Sequence, residues 1–333
     1  MNSFGSHFRL SIFGESHGPY VGIALDGVPP GIPLSEADFS ADLKRRQGGA
    51  HKGTTTRQES DQPILISGYF KGYTTGAPLT VLFENKTQRS QDYEALRNRP
   101  RPGHADFVLH QKFQGYNDPR GGGHSSGRLT VCLVAAGVVA KKVLQHLLQQ
   151  KGAMPVTIEA SLTEANGQAD IEAAIDAAVA AGDSIGGVVS CRVQGLPAGL
   201  GEPFFNSAES LISHLAFSIP AIKGIEFGAG FAAARMSGSE HNDAIMDERG
   251  TTATNHAGGI NGGITNGNDL FFRVAVKPAS STPKLQHSWD HATQSVQPLE
   301  VKGRHDLCIA LRVPPVAEAI TAIALVEMIQ SCS

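Results

Sequence analysis

The stretch LTVCLVAAGVVAKKVLQHLLQ, residues 129–149, is the strongest helix that the sequence predicts. Its apolar residues lie nearly all round a helical cylinder rather than along one stripe, which is typical of a helix buried on every side. Its uninterrupted apolar part, residues 131–140, is too short to cross a bilayer, which takes about 20 residues. The sequence therefore predicts a core helix around which the fold is built.

A glycine-rich loop, GGGHSSGR at 121–128, leads directly into this helix. Its glycine N–H groups, two hydroxyls and a helix N-terminus converge at one point, and such a convergence stabilises an anion. The GK[ST] ending of a P-loop is absent, and so is GxGxxG after a strand. The loop predicts a phosphate cradle, and the alternative is a plain glycine-rich start of a helix.

Short apolar runs bounded by Gly and Pro predict strands on both sides of the core helix. The predicted strands are 8–13, 21–26, 64–70, 79–84, 187–194 and 270–276. The other predicted helices are 34–46, with Ser35 as N-cap, 171–181, 207–218 and 316–329. Residues 47–62 follow no period, which predicts an exposed mobile loop, and residues 85–127 have so little regular pattern that they indicate a binding surface. We expect 47–62 and parts of 85–127 to become ordered on ligand binding. No repeat or linker divides the chain, which favours one α+β domain over residues 1–333.

The composition excludes several classes of function. The 28 Lys and Arg residues against 31 Asp and Glu give a net charge of −3, so no positive excess indicates a nucleic-acid partner. The four cysteines, Cys132, Cys191, Cys308 and Cys332, form no CxxC pair and support neither a zinc site nor a disulfide framework. The opening segment lacks a basic region followed by an apolar run and is not a secretory signal. We therefore expect a cytoplasmic protein with no metal site and no membrane segment.

The motif GESHG, residues 14–18, places His17 among small residues directly after a predicted strand. Small neighbours leave the imidazole accessible, and a histidine transfers protons near neutral pH. The GxSxG elbow of serine hydrolases is not matched. His17 is a candidate acid–base group, and the alternative is an ordinary exposed histidine.

The motif RPRPGHAD, residues 99–106, sets two guanidinium groups beside His104. Arginine binds phosphate or carboxylate through two parallel hydrogen bonds, while a nearby histidine can donate a proton. The motif predicts an anion site, and the alternative is a rigid solvent loop with surface arginines.

Two further motifs combine a cation with other polar groups. KPASST, residues 277–282, offers a lysine and three hydroxyls after a predicted strand, and GRHD, residues 303–306, offers an arginine and a carboxylate. A turn after the strand and a helix cap at Asp306 are the structural alternatives.

Taken together and in order, these motifs resemble the chorismate synthase family. The resemblance covers almost the whole chain and rests on GESHGPYVGIALDGVPPGIPL (14–34), RRQGG (45–49), QRSQDY (88–93), RPGHAD (101–106), RGGGHSSGR (120–128), KPASS (277–281) and GRHD (303–306). Several long, unusual motifs in one order make an accidental likeness very improbable.

The resemblance implies a shikimate-pathway lyase that converts 5-enolpyruvylshikimate 3-phosphate to chorismate by anti-1,4-elimination of phosphate and the C6 proton. It implies a requirement for reduced FMN without net redox change, with the reduced flavin supplied from outside. It also implies a homotetramer and an α+β fold in which antiparallel β-sheets sandwich a helical layer.

The family's functional residues map onto this chain motif by motif. The resemblance implies catalytic roles for His17, which protonates the departing phosphate, His104, which protonates the flavin, and Asp306, which helps remove the C6 proton. It implies FMN contacts at His124, Ser125, Ser126, Pro220, Ala221, Gly262, Lys277, Pro278, Ala279, Ser280, Ser281 and Arg304. It implies substrate contacts at Arg46, Lys52, Arg101 and Arg128. His124 and Lys52 stand where the family commonly has arginine, and lysine lacks the bidentate fork.

Two other functions are compatible with the same motifs. One is a flavin reductase or FMN-dependent oxidoreductase, because some fungal family members carry an added reductase activity that uses NADPH. No separate NADP-binding fingerprint is visible in the sequence, so we expect a monofunctional enzyme. The other is a non-enzymatic binder of flavin or phosphometabolites, which would tolerate the loss of His17 and Asp306.

Overall fold

The computed structural model describes residues 2–49, 52–55, 57, 59–86, 96, 98–301, 303 and 305–332. The first seven strands in chain order are β1 (Ser3–Phe4), β2 (Arg9–Gly14), β3 (Tyr20–Asp26), β4 (Ile64–Ser67), β5 (Tyr69–Phe70), β6 (Tyr73–Thr74) and β7 (Leu79–Glu84). The remaining strands are β8 (Thr157–Ala165), β9 (Gly187–Gln194), β10 (Ile222–Phe227), β11 (Ile260–Asn261), β12 (Ile264–Thr265), β13 (Leu270–Val276), β14 (Gln286–Asp290) and β15 (Ser295–Leu299).

The helices are α1 (Ser40–Arg46), α2 (Asp106–Lys112), α3 (Thr130–Gln150), α4 (Ile171–Ala181), α5 (Ala208–Ala216), α6 (Gly238–His241) and α7 (Pro314–Ser331). A 3-10 turn, Glu36–Phe39, precedes α1, and Ser35 and Asp38 cap it reciprocally. The predicted helix 34–46 is therefore a 3-10 turn followed by a shorter α-helix, with the predicted cap residue in place.

The first sheet is antiparallel, with strand order β1-β2-β3-β7-β4. Alternate residues along β7 are buried because successive side chains of a strand point to opposite faces. The buried residues Val81 and Phe83 lie opposite the buried Ile23 and Val21 of β3. This register gives the sheet one continuous apolar face.

The second sheet is also antiparallel, with strand order β10-β13-β9-β8. Phe272 and Val274 of β13 are buried and lie opposite the buried Cys191 and Val189 of β9. Its apolar face therefore forms in the same way as that of the first sheet.

Helices α3 and α7 lie between the two sheets. Helix α3 packs against α7, β3 and β7, whereas α7 packs against β8 and β9. At their crossing, a Cβ atom on Gly137 would lie 2.3 Å from Cβ of Ala319, so the absence of a side chain allows the close approach. Antiparallel sheets on either side of a helical layer confirm the predicted α+β sandwich.

The predicted core helix agrees with α3 to within one residue at each end. In the described part of the chain, one helical stretch, Arg120–Gln150, is long and apolar enough to cross a membrane, and 72% of its apolar window is buried inside the protein. Because the core helix of a folded protein passes the same test, this stretch gives weak support for a membrane span.

The sequence did not predict strands β8, β10, β14 and β15. The sequence of β8, TIEASLTEA, alternates partly buried with exposed residues and carries two glutamates, so it lacks an apolar run. The hairpin β14–β15 is similarly polar, and β10 is interrupted by a register shift between Ile222 and Gly224. Within residues 85–127, where no regular structure was predicted, the structure has α2 and 3-10 turns.

Candidate functional site

A cavity of about 870 Å³ opens at the N-terminus of α3. This volume lies at the upper end of the range of roughly 300–1,000 Å³ for ligand pockets. Loops from both halves of the chain line it, and its charged or titratable lining residues are Arg46, Arg57, Glu59, Asp61, Arg101, His104, His124, Arg128, His214, Lys223, Lys277, His305, Asp306 and Arg312. The cavity is therefore rich in cations, as a site for anionic ligands requires.

The glycine triplet at 121–123 brings the backbone against two histidine rings. All three glycines have positive φ, at 59°, 85° and 53°, a conformation that glycine adopts without strain. A Cβ atom on Gly121 would lie 2.3 Å from Cε1 of His17, and one on Gly122 would lie 3.2 Å from Cε1 of His104. The triplet thus places His17 and His104 beside consecutive residues of one loop.

Two hydrogen bonds join the GESHG turn to this loop. The Ser16 N–H donates to the Gly123 carbonyl at 3.1 Å, and Nδ1 of His124 donates to the Gly14 carbonyl at 2.7 Å. Ser16 and Gly121 line the cavity, while the buried His17 packs against Gly121 from behind the lining. The structure therefore brings His17 next to the cavity wall rather than into the cavity itself.

His104 is oriented by Asp106, the carboxylate at the end of the same RPRPGHAD motif. Nδ1 of His104 lies 2.6 Å from Oδ1 of Asp106, and the same carboxylate accepts hydrogen bonds from the N–H, Nε and Nη2 of Arg101. Burial raises the pKa of Asp106, but the hydrogen bonds from Arg101 and His104 outweigh it and hold that pKa well below its usual range. The Asp106 N–H at 3.2 Å and Nη2 of Arg101 at 3.1 Å also contact Nδ1, so this nitrogen is engaged within the cluster and Nε2 of His104 is left for proton exchange with a ligand.

Arg46 and Arg128 meet at the buried carboxylate of Asp61. Oδ2 of Asp61 accepts from Nη2 of Arg46 at 2.9 Å, and Oδ1 accepts a short hydrogen bond from Nη1 of Arg128. Burial raises the pKa of Asp61, but the charges of the two arginines outweigh it and lower that pKa. Burial also lowers the pKa of Arg46 to about 10, which leaves it cationic at neutral pH.

Asp306 lies on the same wall and is held by two donors. It accepts the Thr55 N–H at 2.9 Å and Nη1 of Arg312 at 2.9 Å. Nε of Arg312 in turn donates to the Arg46 carbonyl at 2.8 Å. Arg312 was not predicted as a site residue, because it falls in an apolar stretch outside every motif.

The KPASS loop forms the opposite wall with residues 217–223. Nζ of Lys277 donates to the hydroxyl of Ser280 at 2.8 Å and to the Gly103 carbonyl at 3.2 Å, which joins this loop to the RPGHAD motif. Burial and the nearby charge of Lys223 lower the pKa of Lys277. Lys223, also missed from the sequence, therefore adds a second cation on this wall.

Most of the predicted site residues meet in this cavity. Its lining includes Arg46, Arg101, His104, His124, Ser125, Ser126, Arg128, Pro220, Ala221, Lys277, Pro278, Ala279, Ser280, Ser281 and Asp306. Four predicted residues do not appear there, and one of them is His17, which packs behind the lining. Lys52 extends over α4, where its exposed side chain forms a surface ion pair with Asp176 at 2.5 Å. Gly262 lies in the β11–β12 hairpin away from the lining, and Arg304 lies outside the described residues.

Within the described ranges, no cluster of three or more His, Cys, Asp or Glu side chains could hold a metal ion. The four cysteines are free, three of them buried and Cys332 exposed.

The fold and the cavity define a class of protein, a β-α-β sandwich with a cation-rich cavity that has histidines in and beside its wall. The family model described as chorismate synthase matches residues 8–330. The chorismate synthase of Chitinophaga pinensis is 62% identical over 327 residues, covering 98% of this chain and 96% of that protein. That of Methanosarcina mazei is 44% identical over 348 residues, covering 98% and 95%.

A solved structure shows the same likeness. A crystal structure of chorismate synthase superposes with a TM-score of 0.73 at 26% identity, covering 98% of this chain and 92% of that one. The chain belongs to the chorismate synthase family, whose members are lyases of the shikimate pathway. The family requires a flavin.

Proposed function

We propose that the cavity binds reduced FMN together with 5-enolpyruvylshikimate 3-phosphate and supports the anti-1,4-elimination of phosphate and the C6 proton. The observation that carries this proposal is the arrangement of Arg46, Arg101 and Arg128 around one cavity that also contains His104 and Asp306. The substrate carries a phosphate and two carboxylates, so three guanidinium groups match its charge.

The residues present fit a flavin mononucleotide. Such a ligand joins an apolar ring system to a phosphate, and the cavity pairs apolar walls with Lys277 and Lys223 and with the hydroxyls of Ser280 and Ser281. Gly103 and Ser280 both line the cavity, and the hydroxyl of Ser280 donates to the Gly103 carbonyl at 2.7 Å. When bound, the reduced flavin supplies electron density transiently and takes it back, so that no net oxidation results.

The three arginines bind the substrate anions, and their pull on the phosphate strengthens as charge develops on the departing group. We assign to His17 the proton that the departing phosphate receives, with Ser16 and Gly121 between its ring and the cavity. His104, whose Nδ1 is held by Asp106, carries a proton at Nε2 towards the cavity. Asp306, fixed by Thr55 and Arg312, helps to remove the C6 proton.

We also propose that the chain acts as one domain in a cytoplasmic homotetramer. The family resemblance implies a contact between FMN and Gly262, and Gly262 lies outside the cavity lining of its own chain, so that contact would need another copy of the chain. Light scattering of the purified protein tests the assembly, and a monomeric mass at micromolar concentration would contradict it.

The reaction is tested anaerobically with purified protein, 5-enolpyruvylshikimate 3-phosphate and FMN reduced once with dithionite. We expect many chorismate and phosphate molecules per flavin, because substrate and product have the same oxidation level. One chorismate per flavin would overturn the catalytic role of the cofactor. A parallel reaction with NADPH and oxidised FMN tests the reductase alternative, and we expect no chorismate from it.

A further inference from the structure

Asp61 lines the cavity and occupies the centre of a hydrogen-bond network in its wall. Its side chain is 0% exposed, and its backbone has a φ of 47°, a left-handed conformation that aspartate tolerates better than most residues. Such a conformation persists where the surrounding contacts determine it. The carboxylate gives one oxygen to Arg46 and the other to Arg128.

The remaining donors of both arginines are partly committed to other groups. Nη1 of Arg46 donates to the hydroxyl of Thr130 at 3.1 Å, and Nε of Arg128 donates to Oδ1 of Asn85 at 2.8 Å. Among the described residues, Nε of Arg46 has no hydrogen-bond partner although it is buried. A buried donor without a partner costs free energy, which an anion in the adjoining cavity would recover.

The same network reaches two groups of the reaction site. On one side, Nδ2 of Asn85 donates to the carbonyls of Glu15 and Gly18, which flank His17. On the other side, the Arg46 carbonyl accepts from Arg312, which holds Asp306. Asp61 thus connects through Arg128 to the turn of His17 and through Arg46 to Asp306.

We propose that Asp61 is a positioning residue that fixes the guanidinium planes of Arg46 and Arg128 for the substrate anions. The proposal rests on the proposed function, because it takes those two arginines as substrate ligands. Two like charges side by side repel each other, and a carboxylate between them holds both at a fixed angle. A substrate with several anionic groups needs such a fixed arrangement of donors more than it needs additional positive charge.

The direction in which Asp61→Asn changes KM distinguishes the positioning role from a purely electrostatic one. Asp61→Asn makes the cluster more positive by one charge, so a role in charge alone would tighten substrate binding. The positioning role gives the opposite result, because the amide has one acceptor oxygen where the carboxylate has two, so one guanidinium faces N–H groups in place of its acceptor. We expect KM for 5-enolpyruvylshikimate 3-phosphate to rise roughly 10- to 100-fold, the worth of a charge-assisted hydrogen bond. We expect FMN binding, followed by flavin absorbance, to stay near that of the parent.

A matched control is a second buried carboxylate that binds cationic side chains at a position outside the cavity. Glu318 is 3% exposed and accepts hydrogen bonds from Arg45 at 2.7 and 2.8 Å and from Lys141 at 3.1 Å, and it does not line the cavity. Glu318→Gln should lower the melting temperature as Asp61→Asn does but leave KM unchanged. If both variants lower the melting temperature and neither changes KM, Asp61 has only a structural role and the proposal is overturned. A lower KM for Asp61→Asn also overturns it.

A second variant covers the case in which Asp61→Asn does not fold. Asp61→Glu keeps the charge and moves the carboxylate by one methylene, so it should fold and raise KM by about three- to tenfold, a fraction of the full charge-assisted contact. A normal KM in this variant overturns the proposal. Arg128→Gln tests the proposed substrate site separately from the positioning role of Asp61. If it leaves KM normal, the proposed substrate site is wrong, whereas a raised KM together with a normal KM for the Asp61 variants rejects only the positioning role.

Discussion

At the scale of single residues, glycines 121 and 122 determine how closely the backbone approaches the two catalytic candidates. Each has a positive φ, and each would direct a Cβ atom at a histidine ring. The sequence shows that the loop is glycine-rich, but it does not show which side chains the glycines accommodate.

Gly121→Ala should displace His17 and reduce kcat. The added methyl would lie 2.3 Å from Cε1 of His17, and φ of 59° costs a non-glycine residue about 1–2 kcal/mol. We expect roughly a hundredfold loss of kcat, as misplacement of a proton donor causes. Gly238→Ala is the control, because its Cβ would meet no atom within 4 Å. Equal rates for the two variants would show that the position of His17 is unimportant.

His17→Ala and His104→Ala should lose turnover far more than ligand binding. Positioned acid catalysis contributes roughly 10²–10⁴-fold, whereas Arg46, Arg101 and Arg128 remain to bind the anions. Arg101→Ala should do the opposite and weaken substrate binding more than the two histidine variants do. Steady-state rates and flavin absorbance titrations measure the two effects separately. Near-normal rates in both folded histidine variants would show that the proton-transfer roles are wrong.

The ion pair of Asp106 should make stability depend on pH. Its pKa is lower in the folded protein than in the unfolded chain, so its contribution is fully present above the unfolded value of about 3.9. That contribution is lost as pH falls from there through the folded value. Asp106→Asn should therefore lower the melting temperature at pH 7, and the difference from the parent should shrink below about pH 4.

Asp176→Asn is the control for this pH experiment. Its carboxylate is 61% exposed and pairs with the exposed Lys52, so the loss of this surface contact should change the melting temperature little. A difference for Asp106→Asn that stays constant from pH 7 to pH 3 would contradict the assigned ion pair.

At the scale of elements, helix α2 differs from the others around the cavity. None of its seven residues is buried, and Phe107 and Val108 are 49% and 59% exposed. It begins at Asp106, so it is continuous with the Arg101–His104 cluster. A helix this short, without buried contacts, gains little stability of its own.

The amide groups of α2 should exchange faster than those of α4 in the ligand-free protein and become slower once FMN and substrate bind. Anions at Arg101 and His104 would fix the start of the helix and offset its ordering entropy. Hydrogen–deuterium exchange with and without both ligands measures this, and α4 should not change. Equal protection of α2 in both states would contradict the expected ordering.

At the scale of the whole molecule, the contact between α3 and α7 sets the distance between the two sheets. The carboxylate of Glu327 on α7 also accepts hydrogen bonds from the N–H groups of Ser6, His7 and Phe8, which fastens the N-terminal segment to this layer. The cavity opens at the N-terminus of α3, so its walls depend on the same layer.

Gly137→Ala should destabilise the protein although alanine favours a helix by about 1 kcal/mol over glycine. The added methyl would lie 2.3 Å from Cβ of Ala319, and overpacking of a core costs roughly 1–3 kcal/mol. The steric cost should therefore prevail and lower the melting temperature. Gly238→Ala, with open space around it, serves again as control. A melting temperature above that of the parent would show that the helices separate without cost.

The sequence by itself determined the buried helix, the short apolar strands, the anion-binding motifs and the family resemblance, because each depends on residues close together in the chain. Only the tertiary structure decided which charges meet. Asp61 joins Arg46 and Arg128, Arg312 holds Asp306, and Lys52 pairs with α4 rather than with the cavity. A charged side chain in an irregular loop follows no period, so its partner depends on how the loops pack against the core. Packing of the two sheets on α3 and α7 supplies that arrangement, and with it the cavity.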